Sequence, residues 1–278
     1  MRVIAGLDNS AVASPVAEFA AALASVLGAE VDGLHVAANG HERAQAAAER
    51  AGLALRVERG DARARLRREA EAAHVAAVVL GRSHEPRGGP VGAVALELLT
   101  TLPKPVAVVP LGSPRPGRLG RILVPLEGTH STSLAPRRTI ELAHGAGLEI
   151  VLVHVFDAAS LPAFTDQPQH ETAAWATEFL ARYCPCPPDD VRLESRIGDP
   201  VREVVSVAHE IDADLIALGW AQELAADRAP VVRAALERAR LPVFLIPVVS
   251  VDGDPAESAD ERAMRAATDA VRTVAESS

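Results

Sequence analysis

The chain has 278 residues, with 28 lysines and arginines against 37 aspartates and glutamates, a formal charge of −9; that balance argues against sequence-independent nucleic-acid binding, which needs clustered positive charge to displace counterions. Apolar residues make up 49% but aromatic ones only 3%, so the cores must be built from Val, Leu, Ile and Ala, and the length favours two domains. Met1 leads into an apolar strand without a basic leader, and no apolar run is long enough to span a bilayer, so the expectation is a cytoplasmic protein with no membrane partner.

Taken along the chain, apolar β-branched runs at 2–7, 31–36, 53–57, 76–80 and 105–109 predict strands. Between the first two, Val16, Phe19, Ala20, Leu23, Val26 and Leu27 recur at the spacing of one buried helical face. Runs at 43–50, 62–73 and 91–102 predict further helices. Leu111–Gly117, with two prolines and two glycines, reads as a linker. Strands are then predicted again near 121–126, 149–155, 191–196, 214–218 and 243–247, with a longer second helix around 171–183. Past Val251 the composition turns acidic and alanine-rich. Met264, Ala267, Val271 and Val274 there suit either a terminal amphipathic helix or a solvated tail.

The second series is a copy of the first. A spacing of 119 carries Asp8 to Glu127, Gly28 to Gly147 and His35 to His154; a spacing of 138 carries Gly60-Asp61 to Gly198-Asp199 and Gly81 to Gly219. The difference of 19 residues is an insertion between Val155 and Gly198. A repeat this long is a domain rather than a solenoid unit. The expected division is a first domain at 1–112, a linker at 113–120, a second domain at 121–250 and an acidic helix or tail at 251–278. Alternating strands and helices predict parallel strands with right-handed crossovers. The fold class is therefore α/β, two tandem doubly wound five-stranded parallel sheets.

In such sheets ligands bind beyond the carboxyl ends of the strands, where chain order reverses. After the first strand stands Asp8-Asn9-Ser10. After the fourth comes Gly81, then a glycine-containing loop to Gly92 at a helix start. Glycines ahead of a helix can aim bare N–H groups at an anion; they also serve plain turn geometry, and composition leaves both readings open. Cys184 and Cys186 could give two thiolates to a metal, with His170 the nearest further candidate, or simply occupy a proline-rich turn. No nucleophile–base–orienter set is visible, and Gly6-Leu7-Asp8-Asn9-Ser10-Ala11 lacks the dinucleotide fingerprint. The expectation is that the protein is not an enzyme.

The strand ending in Asp8-Asn9-Ser10, Leu34-His35-Val36, Gly60-Asp61, Val78-Val79-Leu80-Gly81 and the closing Leu102-Pro103-Lys104-Pro105-Val106 together resemble the universal stress protein family, and the resemblance extends over 2–110 and 121–248. It implies the strand order 3-2-1-4-5 of adenine nucleotide alpha hydrolase-like proteins. It also implies that Asp8 and Val36 face adenosine, Leu80 and Gly81 line the nucleotide, and Gly92 with Val94 meets its phosphates. ATP is the cofactor so implied, in the first domain only.

The departures weaken that implication. ATP-binding members carry Gly-x2-Gly-x9-Gly-Ser/Thr; here His84 replaces the second glycine, Ala93 the hydroxyl residue, and Gly81 to Gly92 spans 11 positions rather than 13. Arg82, Arg87, Gly88 and Gly89 are candidates to compensate. In the second copy Glu127 replaces the aspartate, Gln222 the glycine, and Ala229-Pro230 the last pair. The expectation is a non-catalytic tandem stress-response protein with at most weak or altered adenine-nucleotide binding, or a different small-molecule ligand, in the first domain. The alternative is an ATP binder with slow hydrolysis there. The apolar fifth strands, Val106–Val109 and Val243–Ile246, would be aggregation-prone edges, so they are expected to pair within the chain or across a homodimer.

Overall fold

A computed structural model of the chain describes residues 1–36, 40–82, 91–114, 117–127, 135–156, 168–224 and 229–248, with backbone alone at 168–173. The terminal segment expected beyond Val251 lies outside the described residues. In the first half β1 (Arg2–Gly6), α1 (Ala13–Leu27), β2 (Glu30–Val36), α2 (Glu42–Ala51), β3 (Ala54–Glu58), α3 (Ala62–Glu71), β4 (Val75–Arg82), α4 (Ala93–Thr101) and β5 (Val106–Pro110) alternate. The second half follows with β6 (Arg121–Pro125), α5 (Arg137–Gly145), β7 (Glu149–Phe156), α6 (Pro168–Tyr183), β8 (Val191–Ile197), α7 (Pro200–Glu210), β9 (Leu215–Trp220), α8 (Pro230–Arg238) and β10 (Val243–Pro247).

The strand order is β3-β2-β1-β4-β5-β10-β9-β6-β7-β8. Each half thus has the order 3-2-1-4-5, all parallel, but the halves form one ten-stranded sheet rather than two. They join where β5 and β10 pair antiparallel, Val108 opposite Val243 and Val106 opposite Leu245. This is the intrachain form of the expected edge pairing, and it removes both apolar edges at once. The strands left outermost, β3 and β8, alternate charge instead: Arg56 pairs with Glu69, and Glu194 with Arg192 and Arg196. Charged edges resist pairing with another chain.

Each face of the sheet carries one apolar core that crosses the junction. On one face α1 covers Val3, Val79 and Val109 of the first half, continuous with Ile122, Leu152 and Phe244 of the second. On the other, α3 and α4 continue into α7 and α8 over Ile4, Val78, Val108, Ile216 and Leu245.

The repeated residues have structural reasons. Gly28 and Gly147 hold φ of 59° and 73° just past α1 and α5, a left-handed turn that costs a side chain about 1 kcal/mol or more. Asp61 and Asp199 are helix N-caps: Asp61 accepts from the Ala64 N–H at 3.0 Å, and Asp199 from the Val201 N–H at 3.0 Å.

Candidate functional site

The turn after β1 is built by its own side chains. Asp8 Oδ1 accepts from the Ser10 hydroxyl at 2.6 Å and from the Ser10 N–H at 3.2 Å, and Ser10 Oγ accepts from the Val12 N–H. Asn9 reaches across to α2, where Oδ1 accepts from the Arg43 N–H at 2.8 Å. His41, at the start of that helix, provides no side-chain cap, so Asn9 supplies it from 34 residues away. Buried His35 ties the same region together, with Nδ1 2.6 Å from the Leu7 carbonyl oxygen and Nε2 2.9 Å from that of Gly40.

These contacts frame a cleft of about 330 Å³ at the carboxyl ends of β1, β2 and β4, at the lower end of the range for small-molecule sites. All six residues singled out from the sequence, Asp8, Val36, Leu80, Gly81, Gly92 and Val94, line it. Leu80 and Leu66 form its apolar side, close enough that a Cβ on Gly6 would lie 2.6 Å from Leu80 Cδ2. Gly81 answers to a different neighbour: a Cβ there would lie 2.3 Å from Val12 Cγ1. Its missing side chain therefore seats the start of α1 against the sheet.

The fourth wall is the beginning of α4. Gly92 is its N-cap, with φ −64° and ψ 159° and no side-chain hydrogen bond, and Gly92 to Ala95 line the cleft. The first N–H groups of a helix have no partner within it, and they carry the positive end of its dipole. Arg63 adds a cation from the first turn of α3, with its Nη1 3.8 Å from the carboxylate of Glu97 on α4. Sequence reasoning missed Arg63 and Leu66. The signal was present: the helix after the third strand begins at the same sheet end, and positions 63 and 66 share one face of it. Arg82 goes elsewhere than expected, its guanidinium donating to carbonyls of α8 in the other half. His84, Arg87, Gly88 and Gly89 lie outside the described residues.

At the equivalent place in the second half the repeat substitutes bulk for space. Gly6 becomes Pro125, Gly92 becomes Ala229, Ala93 becomes Pro230, and Arg63 becomes Val201. Trp220 is 3% exposed and packs in the core together with Val232, with Leu224, Ala229 and Val231 against them. Pro230 opens α8 and has no N–H for a ligand. His154 keeps one contact of His35, Nδ1 lying 2.8 Å from the Leu126 carbonyl oxygen. Its ring otherwise packs among Phe156, Trp175 and Phe179, at 4.6–5.3 Å between centroids. Desolvation pushes its pKa down, partly opposed by that carbonyl.

Cys184 and Cys186 are free thiols against the same core. Burial pushes both up, Cys186 to about 11. Among the described residues no group of three or more His, Cys, Asp or Glu is placed to hold a metal ion, and no helix is long and apolar enough to cross a membrane.

Residues 119–247 match the family model described as the Universal stress protein family. The whole arrangement also resembles solved structures. A functionally unknown protein from Pseudomonas aeruginosa PAO1 superposes with a TM-score of 0.65 at 12% identity, over 89% of this chain and 92% of its own. A putative universal stress protein from Pseudomonas aeruginosa UCBPP-PA14 gives 0.62 at 13%, over 88% and 92%. A universal stress protein from Archaeoglobus fulgidus DSM 4304 gives 0.61 at 15%, over 89% and 98%. No curated protein sequence matches. Residues 119–247 are therefore a domain of the universal stress protein family, and the first half of the chain repeats the strand order of that domain.

Proposed function

We propose that this is a non-catalytic stress-response protein whose first-half cleft takes an adenine nucleotide weakly, while the second half has given up that role. The observation that carries this reading is polarity within one cleft. Asp8, an acceptor suited to ribose or adenine donors, lies on the strand side, and the uncapped start of α4 with Arg63 lies on the helix side. Leu66 and Leu80 provide apolar surface for a base. The helix start suits a phosphate because its N–H groups and dipole favour an anion there. Affinity is held down by Ala93, which lacks the hydroxyl donor of ATP-binding relatives, and by the short span from Gly81 to Gly92. In the second half Pro230 and Val201 remove an N–H and a cation, and Glu127 keeps a carboxylate without them.

The test is mass spectrometry of the purified protein for a retained nucleotide, followed by calorimetric titration with ATP and Mg²⁺. One site is expected, with Kd between about 10 µM and 1 mM, or roughly 4–7 kcal/mol of binding free energy. Asp8→Ala abolishes it and Glu127→Ala leaves it unchanged. Chromatography of the titrated nucleotide for ADP distinguishes binding from slow hydrolysis. No heat of binding at about 1 mM ATP would overturn the nucleotide reading.

A further inference from the structure

Among the described residues, the side chains of Arg82 and Gln222 cross the junction between the halves, each ending on the other half's helix. Arg82, the residue after Gly81 at the end of β4, donates from Nη1 to the carbonyl oxygens of Leu236 at 2.6 Å and Ala239 at 3.1 Å, at the C-terminus of α8. Gln222, two residues beyond β9, donates from Nε2 to the carbonyl oxygens of Leu99 at 2.9 Å and Leu102 at 2.8 Å, at the C-terminus of α4. Both satisfy helix-end carbonyls that have no partner inside the helix. Arg82 is half-buried, its Nε has no partner, and among the described residues no carboxylate pairs with it; the negative end of the α8 dipole is its counter-charge.

Gln222 stands where a phosphate-binding loop would carry its second glycine, and it keeps a glycine-like backbone with φ of 62°. Left-handed φ is unfavourable for a residue with a side chain. The conformation therefore persists under a cost that the two hydrogen bonds to α4 offset. Because the halves pair antiparallel, α4 runs from the cleft at its N-terminus to Gln222 at its C-terminus. Nine residues of rigid helix, about 13 Å, connect the two.

We infer that Gln222 and Arg82 are positioning residues for the first-half cleft: the loop that lost its ligand in one half now fixes the anion-facing helix of the other. The amide of Gln222 holds α4 in depth and tilt, and Arg82 holds the end of β4 beside Gly81. The second half is thus the support of the site in the first, a role that rests on the nucleotide reading only for its consequence in affinity.

The test uses the full chain with Gln222→Gly, which keeps the left-handed backbone and removes the amide, and Gln222→Lys, which restores a donor. Hydrogen exchange is followed at the Leu96 amide, whose bond to the Gly92 carbonyl oxygen is 2.9 Å long and opens the helix beside the cleft. ATP with Mg²⁺ is titrated in parallel. Gln222→Gly is expected to speed Leu96 exchange and weaken ATP binding, each by about fivefold to tenfold, the size of one to two ordinary hydrogen bonds. Gln222→Lys recovers most of both. If faster exchange is confined to Leu99–Leu102, with Leu96 and affinity unmoved, Gln222 only caps a helix and the inference is wrong. If the parent chain binds no ATP, the nucleotide reading falls alone, and Leu96 exchange still decides this one.

Discussion

A methyl group on Gly81 has nowhere to go. Its Cβ would sit 2.3 Å from Val12 Cγ1, and Val12 is buried at 4% exposure, so something packed must shift. Overpacking of this kind costs about 1–3 kcal/mol, and Gly81→Ala should lower the free energy of unfolding in urea by that amount. The loss should be smaller when the same substitution is made beside Val12→Ala, which clears the space. Equal losses in both backgrounds would mean that Val12 is not the constraint. Glycine in the family motif is commonly read as room for a ligand; here the conflict is with the protein's own α1. Asn9 teaches the same lesson, since it stands in the acceptor-rich turn after β1 yet spends its side chain on the start of α2.

At the level of elements, α2 and α6 are the same helix of the repeat built two ways. The ten-residue α2 packs alanines, Ala44, Ala47 and Ala48, against the sheet. The sixteen-residue α6 instead presents Trp175, Phe179 and Tyr183, and the ring of His154 lies against the first two. Since burial lowers the pKa of His154 from 6.5, the folded chain binds fewer protons there than the unfolded one. Its contribution is complete above pH 6.5 and is lost as pH falls through the depressed folded value. Thermal melts between pH 7 and about 5 should fall more steeply for the parent chain than for His154→Asn; parallel curves would show that the ring does not titrate with folding. The strands and crossing helices were legible in the sequence, because periodicity is a local signal, whereas the strand order and the six cleft residues came through the family resemblance that the doubled Gly-Asp and Leu-Gly pairs help to carry. Arg63 was recoverable from the position of α3. Gln222 and Arg82 were not, because each acts on a helix more than a hundred residues away in the chain, and nothing in a loop's composition names the carbonyls it will meet.

For the whole molecule the decisive contact is β5 against β10. Leu245 is fully buried and faces Val106 across it. An unpaired charge left in such a place costs about 3–5 kcal/mol. Leu245→Lys should therefore split a single calorimetric transition into two, each half melting on its own. A single transition at an unaltered temperature would show that the junction does not hold the halves together. Carrying both partners of this contact on one polypeptide has an effect reaching past stability. Two separate copies meeting through the same strands would come apart on dilution, and every substitution would appear in both crevices together. Here the encounter is intramolecular, set by a short tether instead of by concentration. The two crevices were thereby free to diverge, one gaining a buried Trp220 and a proline, Pro230, at its helix start, an asymmetry that no assembly of identical subunits could have inherited.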